Sequence, residues 1–235
     1  MAARRAWLLE CGRIAYADAW ALQRELVAAR QAGRVRDVVL LVEHPPVITI
    51  GRAGRSANIL VPRALLAAQG VEVFEVERGG DVTYHGPGQL VGYPIVDLRA
   101  LDEDVVRYVR SLECALITTL RQFGISAGRV RGYPGVWAGD AKIAAIGVAV
   151  KRRVTMHGFA LNVAPNLDHF ALINPCGLGK PVTSMARVLG RRVELVEVQP
   201  AVTRAFAEVF HIELAPVTIE AIRARVGDVE HRAQV

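Results

Sequence analysis

Residues 135–163 read GVWAGDAKIAAIGVAVKRRVTMHGFALNV, and this stretch decides the fold class. Its pattern predicts three successive β-strands, with turns at residues 138–140 and 151–153. The apolar run from Ile143 to Val150 is flanked by Lys142 and Lys151 and is much shorter than a membrane span, so we interpret it as a buried strand. Three consecutive strands without a helix between them argue against a regular alternation of strands and helices.

The rest of the chain continues this grouping of strands and helices. Further strands are predicted at residues 7–13, 71–80 and 89–98, and at residues 37–52, where Pro45 and Pro46 separate two of them. Helical spacing of apolar residues predicts helices at residues 16–33, 62–70, 102–124, 183–190, 195–210 and 218–227. Grouped strands favour an α+β fold, a mixed β-sheet flanked by helices. We expect a single domain over residues 1–212, followed by a C-terminal extension at 213–235 with a short helix and a polar tail.

Composition limits the classes of function. The chain has 235 residues, of which 52% are apolar, and this is enough for a sizeable core. No apolar segment reaches the length of a membrane span, and the apolar part of the N-terminus is too brief for a signal peptide, so we expect a cytoplasmic protein. The formal net charge of +6 favours acidic partners, but no basic run exceeds three residues, so nucleic-acid binding is not expected.

Several common site motifs are missing from the sequence. GLGKP at residues 177–181 ends in proline where a phosphate-binding loop needs serine or threonine, and GPGQLVG at 86–92 does not fit a dinucleotide-binding loop. The three cysteines form no C-x-x-C pair and are odd in number, which argues against a disulfide framework and a cysteine zinc site. We therefore expect neither a metal nor a cofactor.

The densest group of special residues is RGGDVTYHGPGQLVGYP at residues 78–94. A hairpin with glycine turns would explain the glycines alone. Glycines also let a ligand approach the backbone closely, and backbone N–H groups there can hold an anion or a developing oxyanion. Because Arg78, Asp81, Thr83, Tyr84 and His85 occupy the same stretch, we favour a ligand-binding loop.

The three cysteines differ in their predicted surroundings. Cys11 falls in a predicted strand and Cys114 in a predicted helix, and for both we expect a packing role. Cys176 lies instead in a loop, between a proline and a glycine, and loops carry reactive groups more often than helix faces do. A thiol is a poor nucleophile until it is deprotonated, so a reactive Cys176 would need a base or a positive neighbour.

The sequence leaves the identity of that base open. A histidine is the first chemical choice, and the candidates are His44, His85, His157 and His169. The three lysines, Lys142, Lys151 and Lys180, are the alternatives. Lys142 opens an apolar strand directly after a Gly-Asp turn. It is either a strand-end lysine in water or a lysine at the rim of an apolar pocket, where its pKa would be coupled to that of a nearby thiol.

A set of motifs resembles one known family. They are RGGDVTYHGPGQLVGYPI at residues 78–95, GVWAGDAKIAAIGVAV at 135–150, HGFALNV at 157–163 and INPCG at 173–177, and EHPPVITIGR at 43–52 also fits. In this order they resemble the lipoyl(octanoyl) transferases, which are octanoyl-[acyl-carrier-protein]:protein N-octanoyltransferases, over residues 41–189. The resemblance implies the fold of the biotin/lipoate protein ligase catalytic domain.

The resemblance also implies roles for particular residues. Cys176 matches the nucleophile that carries the acyl group as a thioester, and Lys142 matches the lysine that lowers the pKa of that thiol. Three segments match substrate-binding positions, with the residues Arg78, Gly79, Gly80, Asp81, Val82, Thr83, Tyr84, His85, Ala145, Ile146, Gly147, Gly158, Phe159 and Ala160. Lys180, although closer to Cys176 in sequence, is interpreted as a surface or partner-facing residue.

The implied activity is the transfer of an octanoyl group without ATP. The donor would be octanoyl-acyl carrier protein, and the acceptors would be lysines in apo lipoyl domains of 2-oxoacid dehydrogenase complexes and in the glycine cleavage H protein. Two alternatives stay open. An ATP-dependent lipoate–protein ligase would use a similar lysine but no cysteine, and a non-catalytic acyl-binding protein would form no covalent adduct.

Overall fold

The structure is a computed structural model that describes residues 4–174 and 180–227. Within these ranges the strands are β1 (Arg4–Arg13), β2 (Val38–Glu43), β3 (Val47–Ile50), β4 (Glu72–Glu75), β5 (Val82–His85), β6 (Gln89–Ile95), β7 (Gly128–Val130), β8 (Tyr133–Ala138), β9 (Ala141–Lys151), β10 (Val154–Asn162) and β11 (Ile212–Pro216). The α-helices are α1 (Tyr16–Gln31), α2 (Arg63–Ala68), α3 (Val105–Gln122), α4 (Met185–Leu189), α5 (Leu195–Phe210) and α6 (Ile219–Gly227). Short 3₁₀ helices lie at Ser56–Asn58, Leu98–Leu101 and Leu167–Leu172.

The strands form a large mixed sheet and a small one. The large sheet has the order β11-β1-β2-β6-β10-β9-β8-β7, and β1 runs parallel to both of its neighbours while the other pairs are antiparallel. The small sheet has the order β4-β3-β5. The three predicted strands of residues 135–163 are β8, β9 and β10, and they are neighbours in the sheet. The predicted α+β fold with a mixed sheet is therefore confirmed.

Helices cover both faces of the large sheet. Side chains of α3 and α5 form one apolar cluster with the first face, and side chains of α1 and α6 form another with the opposite face. Strand β10 shows the alternation that joins the two layers, because Phe159 and Leu161 belong to the first cluster and Ala160 to the second. A strand buried on both faces has to be apolar throughout, as β10 largely is.

Helix α3 begins where its sequence provides a cap. The Asp104 side chain accepts hydrogen bonds from the N–H groups of Val106 and Arg107, which have no partner within the helix. The buried residues Leu112, Leu116 and Leu120 then recur every four positions along one face. The helix predicted at 102–124 is confirmed. Within residues 4–174 and 180–227, no helix is long and apolar enough to cross a membrane.

The sequence pattern did not predict the strands at the two edges of the large sheet. Strand β7 is only three residues long, and β11 contains the polar Glu213 and ends at Pro216. The expected domain boundary at residue 212 falls at the first residue of β11, which pairs with β1. Helix α6 follows, and its Ile222 is fully buried against the α1 side of the sheet.

Substitution of Ile222 tests how firmly the C-terminal segment is attached. We expect Ile222→Ala to lower the free energy of unfolding by about 2–5 kcal/mol, because it removes buried apolar atoms and leaves a cavity. Val196→Ala is the control, since Val196 is 71% exposed and its loss should cost less than about 0.5 kcal/mol. Urea denaturation measures both. Equal, small effects would mean that residues 213–227 contribute little to the stability of the domain.

Candidate active site

One cavity of about 490 Å³ lies where the segment that contains β5 meets β9 and β10. Lys142 lines it, and so does every predicted substrate-binding residue except Tyr84. Cys176 lies outside the described residues. The structure thus brings residues 78–85 together with residues 142–160, which follow more than fifty residues later in the sequence.

Glycines allow the segment before β5 to lie directly on β9. The N–H of Gly79 donates to the carbonyl oxygen of Val148 at 2.8 Å. A Cβ atom at Gly147 would lie 2.9 Å from the carbonyl oxygen of Gly79, and one at Gly158, which pairs with Gly147 across the sheet, would lie 2.2 Å from that of Gly92. Any side chain at these positions would meet backbone, so glycine is required for the close approach.

Arg78 anchors the same segment to the small sheet. Its Nη2 donates to the carbonyl oxygen of Thr49 at 2.6 Å, and its Nε donates to Thr49 Oγ1 at 3.1 Å. Three residues further along the segment, the Asp81 carboxylate accepts hydrogen bonds from the Val82 N–H at 2.7 Å and from Asn58 Nδ2 at 2.6 Å. These buried, charge-assisted bonds hold the segment in one conformation at the cavity wall.

Tyr84 is placed away from the cavity. Its ring packs in the apolar cluster that contains Ile48, Leu66 and Val82, and its hydroxyl forms a 2.6 Å hydrogen bond with His169 Nδ1. Burial raises the pKa of Tyr84 to about 12, so the phenol stays protonated. This residue therefore supports β5 from behind rather than contacting a ligand in the cavity.

Lys142 is held by its backbone as well as by its position in β9. Its N–H donates to the carbonyl oxygen of Pro181 at 2.9 Å, and its carbonyl oxygen accepts from the Thr183 N–H at 3.0 Å. The Nζ atom lies 4.9 Å from the centre of the Trp137 ring, within the range of a cation–π contact. Lys180 is exposed, as expected, but it also lines the cavity, with Nζ 5.4 Å from the centre of the Tyr133 ring.

The candidate histidines are mostly buried. His44 donates through Nδ1 to the carbonyl oxygen of Ile14 at 2.8 Å and accepts the Tyr93 hydroxyl on Nε2 at 2.8 Å. Burial lowers the pKa of His44, lowers that of His157 to about 4, and lowers that of His85 well below its usual range. All three imidazoles are therefore neutral near pH 7.

His157 belongs to a group of side chains around Glu77. The Glu77 carboxylate accepts hydrogen bonds from Lys151 Nζ at 2.8 Å and Trp20 Nε1 at 3.0 Å, and it lies 3.3 Å from His157 Nε2. Burial alone would raise the pKa of Glu77, but the hydrogen bonds from Lys151 and from its own backbone, together with His157, lower it to about 2. The carboxylate is thus charged at every physiological pH and fixes the orientation of His157.

Several lining residues were not among the substrate-binding residues predicted from the sequence. They include Tyr16, Gln89, Tyr93, Trp137, His157 and Asn162, which come from α1, β6, β8 and β10. Gln89 and Tyr93 did fall in the quoted glycine-rich stretch, so their position carried some signal. Trp137, His157 and Asn162 fell in the motifs at 135–150 and 157–163. Tyr16 had no such signal, because a single aromatic residue in a helix is usually part of the core.

The fold defines a class of protein. A bipartite lipoate protein ligase from Thermoplasma acidophilum superimposes with a TM-score of 0.75, covering 97% of this chain and 93% of that one. At 18% identity this likeness shows the fold alone. It confirms the predicted fold of the lipoate ligase type.

The family follows from sequence. The chain belongs to the family of lipoyl protein ligase A/B catalytic domains, whose model matches residues 15–207. An octanoyltransferase of Solibacter usitatus is 54% identical over 213 residues, covering 91% of this chain and 96% of the relative. An octanoyltransferase of Gloeobacter violaceus is 50% identical over 221 residues, covering 94% and 97%. The predicted family and the prediction of an enzyme are confirmed.

The buried histidines predict how stability depends on pH. An unfolded histidine titrates near pH 6.5, whereas His157 in the folded state titrates near pH 4. The unfolded state therefore binds more protons between these values, and stability falls as the pH falls through that window. We expect His157 alone to account for about 2 kcal/mol of lost unfolding free energy between pH 7 and pH 5.

Urea denaturation at the two pH values checks this expectation. His157→Asn should reduce the pH dependence of the unfolding free energy, because it removes the titrating imidazole. Asparagine is chosen because it tolerates the left-handed backbone of this residue, where φ is 57°. His211→Asn is the matched control, because His211 is exposed and also has a positive φ, of 51°. The same pH dependence in His157→Asn as in the native protein would contradict the assignment.

Proposed function

We propose that the protein is an octanoyltransferase that moves an octanoyl group from octanoyl-acyl carrier protein to a lysine of a lipoyl domain, through a thioester on Cys176. The observation that carries this proposal is the single cavity that gathers Lys142 and the glycine-rich segments from three parts of the chain. The Solibacter and Gloeobacter relatives are named octanoyltransferases and are at least 50% identical to this chain over nearly their whole length. Their similarity supports octanoyl transfer as the activity.

The described residues on both sides of Cys176 support its assignment as the nucleophile. Asn174, two positions before it, donates its N–H to the carbonyl oxygen of Asn58 at 2.8 Å, and Asn58 in turn bonds Asp81 of the cavity wall. Lys180, four positions after it, lines the cavity, and the next residues pair with the backbone of Lys142.

The first half-reaction forms the acyl-enzyme. The Cys176 thiol gives its proton to Lys142, and the thiolate attacks the carbonyl carbon of the octanoyl thioester. A carbon–sulfur bond to Cys176 forms, the bond to the pantetheine sulfur of the carrier protein breaks, and that sulfur leaves as a thiol with the proton from Lys142. Backbone N–H groups of the glycine-rich segment are suited to hold the oxyanion.

The second half-reaction forms the amide. The amine of the acceptor lysine attacks the Cys176 thioester, a carbon–nitrogen bond forms, and the bond to Cys176 breaks. The proton lost by the amine passes to Lys142 and from there to the sulfur of Cys176. Conversion of a thioester to an amide is downhill, so the reaction needs no ATP and no metal or cofactor.

The partners follow from the substrates. Acceptors would be apo lipoyl domains of 2-oxoacid dehydrogenase complexes and the glycine cleavage H protein. The Thermoplasma structure belongs to the analysis of a lipoylation system that comprises a lipoate protein ligase and its E2 lipoyl domain. The net charge of +6 suits acidic donor and acceptor proteins. The reaction would take place in the cytoplasm, without nucleic acid or membrane.

The direct test is transfer from octanoyl-acyl carrier protein to an apo lipoyl domain in the absence of ATP. We expect the native protein to gain the mass of one octanoyl group, to lose it to hydroxylamine, and to pass it to the lipoyl domain. Cys176→Ala should show no adduct, whereas Cys114→Ala should keep it. Lys142→Ala should slow alkylation of Cys176 near neutral pH. Transfer that requires ATP would indicate a ligase, and acyl binding without an adduct would indicate a binding protein.

We expect Gly92 to influence which acyl-chain length the enzyme prefers, although Gly92 itself does not line the cavity. A Cβ atom here would lie 2.2 Å from Cζ of Phe159, so the ring would have to lift off the sheet. Because Phe159 lines the cavity, this movement would shorten the space for an acyl chain. Each methylene that no longer fits costs about 0.8 kcal/mol of binding.

Competition between hexanoyl and octanoyl donors measures this effect. Gly92→Ala should shift the ratio of kcat/KM values about tenfold or more toward hexanoyl, as expected for two displaced methylenes. Gly128→Ala is the control, since a Cβ atom at Gly128 meets nothing within 4 Å. An unchanged ratio in Gly92→Ala would show that Phe159 does not limit the chain.

A further inference from the structure

A chain of hydrogen bonds connects His85 on the cavity wall to the backbone of Lys142. His85 Nδ1 lies 3.2 Å from Gln89 Oε1, and Gln89 Nε2 donates to Asn162 Oδ1 at 2.9 Å. Asn162 Nδ2 donates to the carbonyl oxygen of Thr183 at 2.9 Å, and the N–H of Thr183 donates to the carbonyl oxygen of Lys142 at 3.0 Å. Gln89 and Asn162 are both buried, so each bond satisfies a group that water does not reach.

Two backbone carbonyl oxygens determine how both amide groups are oriented. A carbonyl oxygen can only accept, so the group of Asn162 that faces Thr183 is its NH₂, and Oδ1 faces Gln89. Gln89 Nε2 also lies 3.2 Å from the carbonyl oxygen of Tyr84, so acceptors are present for both of its hydrogens. Reversing either amide would place oxygen against oxygen.

The orientation of Gln89 determines the tautomer of His85. Gln89 presents Oε1 to His85, and this oxygen accepts only, so Nδ1 of His85 carries the hydrogen. In the neutral ring Nε2 then carries a lone pair. Because His85 lines the cavity, the network provides a hydrogen-bond acceptor on the cavity wall.

The surroundings keep this imidazole neutral. Burial lowers the pKa of His85 well below its usual range, and a positive charge on the nearby His44, Arg78 or His157 lowers it further. Of these three groups, Arg78 is the one that is charged near pH 7. The Tyr16 ring is stacked parallel to the imidazole, with the two centres 6.3 Å apart. Positive charge on Arg78, His44 or His157 disfavours a second proton on the His85 ring.

We propose that Gln89 and Asn162 are positioning residues that lock His85 in the Nδ1–H tautomer, so that its Nε2 accepts a hydrogen bond from a substrate N–H group in the cavity. The second part rests on the proposed function. Two substrate groups offer such an N–H: the amides of the pantetheine arm on the donor and the amine of the acceptor lysine. A cationic His85 would repel the amine and donate rather than accept.

Nitrogen-15 NMR of native protein labelled at its histidines tests whether His85 is held in the Nδ1–H tautomer, and this measurement does not depend on enzymatic activity. Protonated and unprotonated ring nitrogens have widely separated shifts, and His85→Phe identifies the signals. We expect Nδ1 protonated and Nε2 unprotonated throughout pH 6–8. The opposite tautomer, or an imidazolium in this range, would overturn the proposal.

Gln89→Glu provides a second measurement on the same ring. A carboxylate beside Nδ1 should raise the pKa of His85, so an imidazolium signal should appear at a higher pH than in the native protein. Gln122→Glu is the control, because Gln122 lies on the exposed surface of α3 and should leave the His85 signals unchanged. Identical His85 titrations in the native protein and Gln89→Glu would contradict the contact with Gln89.

Single-turnover kinetics of the two half-reactions identify the substrate group. His85→Phe should slow one of them about tenfold, the effect of one lost hydrogen bond, and His85→Gln should restore part of the loss. A loss with octanoyl-pantetheine but not with an octanoyl thioester of 2-mercaptoethanol, which has no amide, assigns the donor arm. A loss only in transfer to the lipoyl domain assigns the amine.

The two proposals fail in different ways. Unchanged rates of both half-reactions in His85→Phe would overturn the role of Nε2, as would a loss that His85→Gln does not relieve. A native protein that transfers no octanoyl group would overturn the proposed function, and the NMR measurement would still decide whether the amide pair locks the tautomer.

Discussion

The contact between the backbone of Gly79 and strand β9 is the constraint on which the cavity depends. The Gly79 N–H donates to the carbonyl oxygen of Val148. Because the neighbouring Gly147 has no side chain, the backbone of the glycine-rich segment can lie directly against the backbone of β9. A Cβ atom at Gly51 would likewise lie 2.4 Å from the carbonyl oxygen of Gly80. The glycine-rich segment is thus held between β3 and β9, where Arg78 also anchors it. Displacing it would move the wall on which the predicted substrate-binding residues lie.

The cavity is lined mainly by apolar side chains and holds only a few polar and charged groups. His44, His85 and His157 are neutral, since burial makes the imidazolium costly, while Arg78 and Lys142 line or flank the same space. In surroundings of low dielectric, hydrogen bonds between fixed neutral groups are strong and directional. Because burial lowers the pKa values of His44, His85 and His157, these three are weak bases for a thiol, which favours the proposed role of Lys142 over theirs.

Sequence patterns predicted the interior of the fold better than its edges. Helix α3 and strands β8 to β10 have strong apolar periodicity, because each is buried against the layer beside it. Strands β7 and β11 bury less, so their sequences show little pattern, and only pairing with a neighbour makes them strands. Tyr84 illustrates the same limit within the site. It occupies a strand whose successive side chains alternate, so membership of the motif did not reveal that its ring faces the core.

The sequence by itself determined the family, the order of the strands and helices apart from β7 and β11, and the residue types that the proposed chemistry requires. Glycine, lysine and cysteine at those positions carry that information because few other residues permit a close backbone approach or a transferable proton. Only the tertiary structure decided that Tyr16, Gln89, Tyr93, His157 and Asn162 share a cavity with Lys142. These residues come from elements far apart in the chain, and a hydrogen bond such as that from Gln89 to Asn162 depends on strand register, which local sequence does not encode.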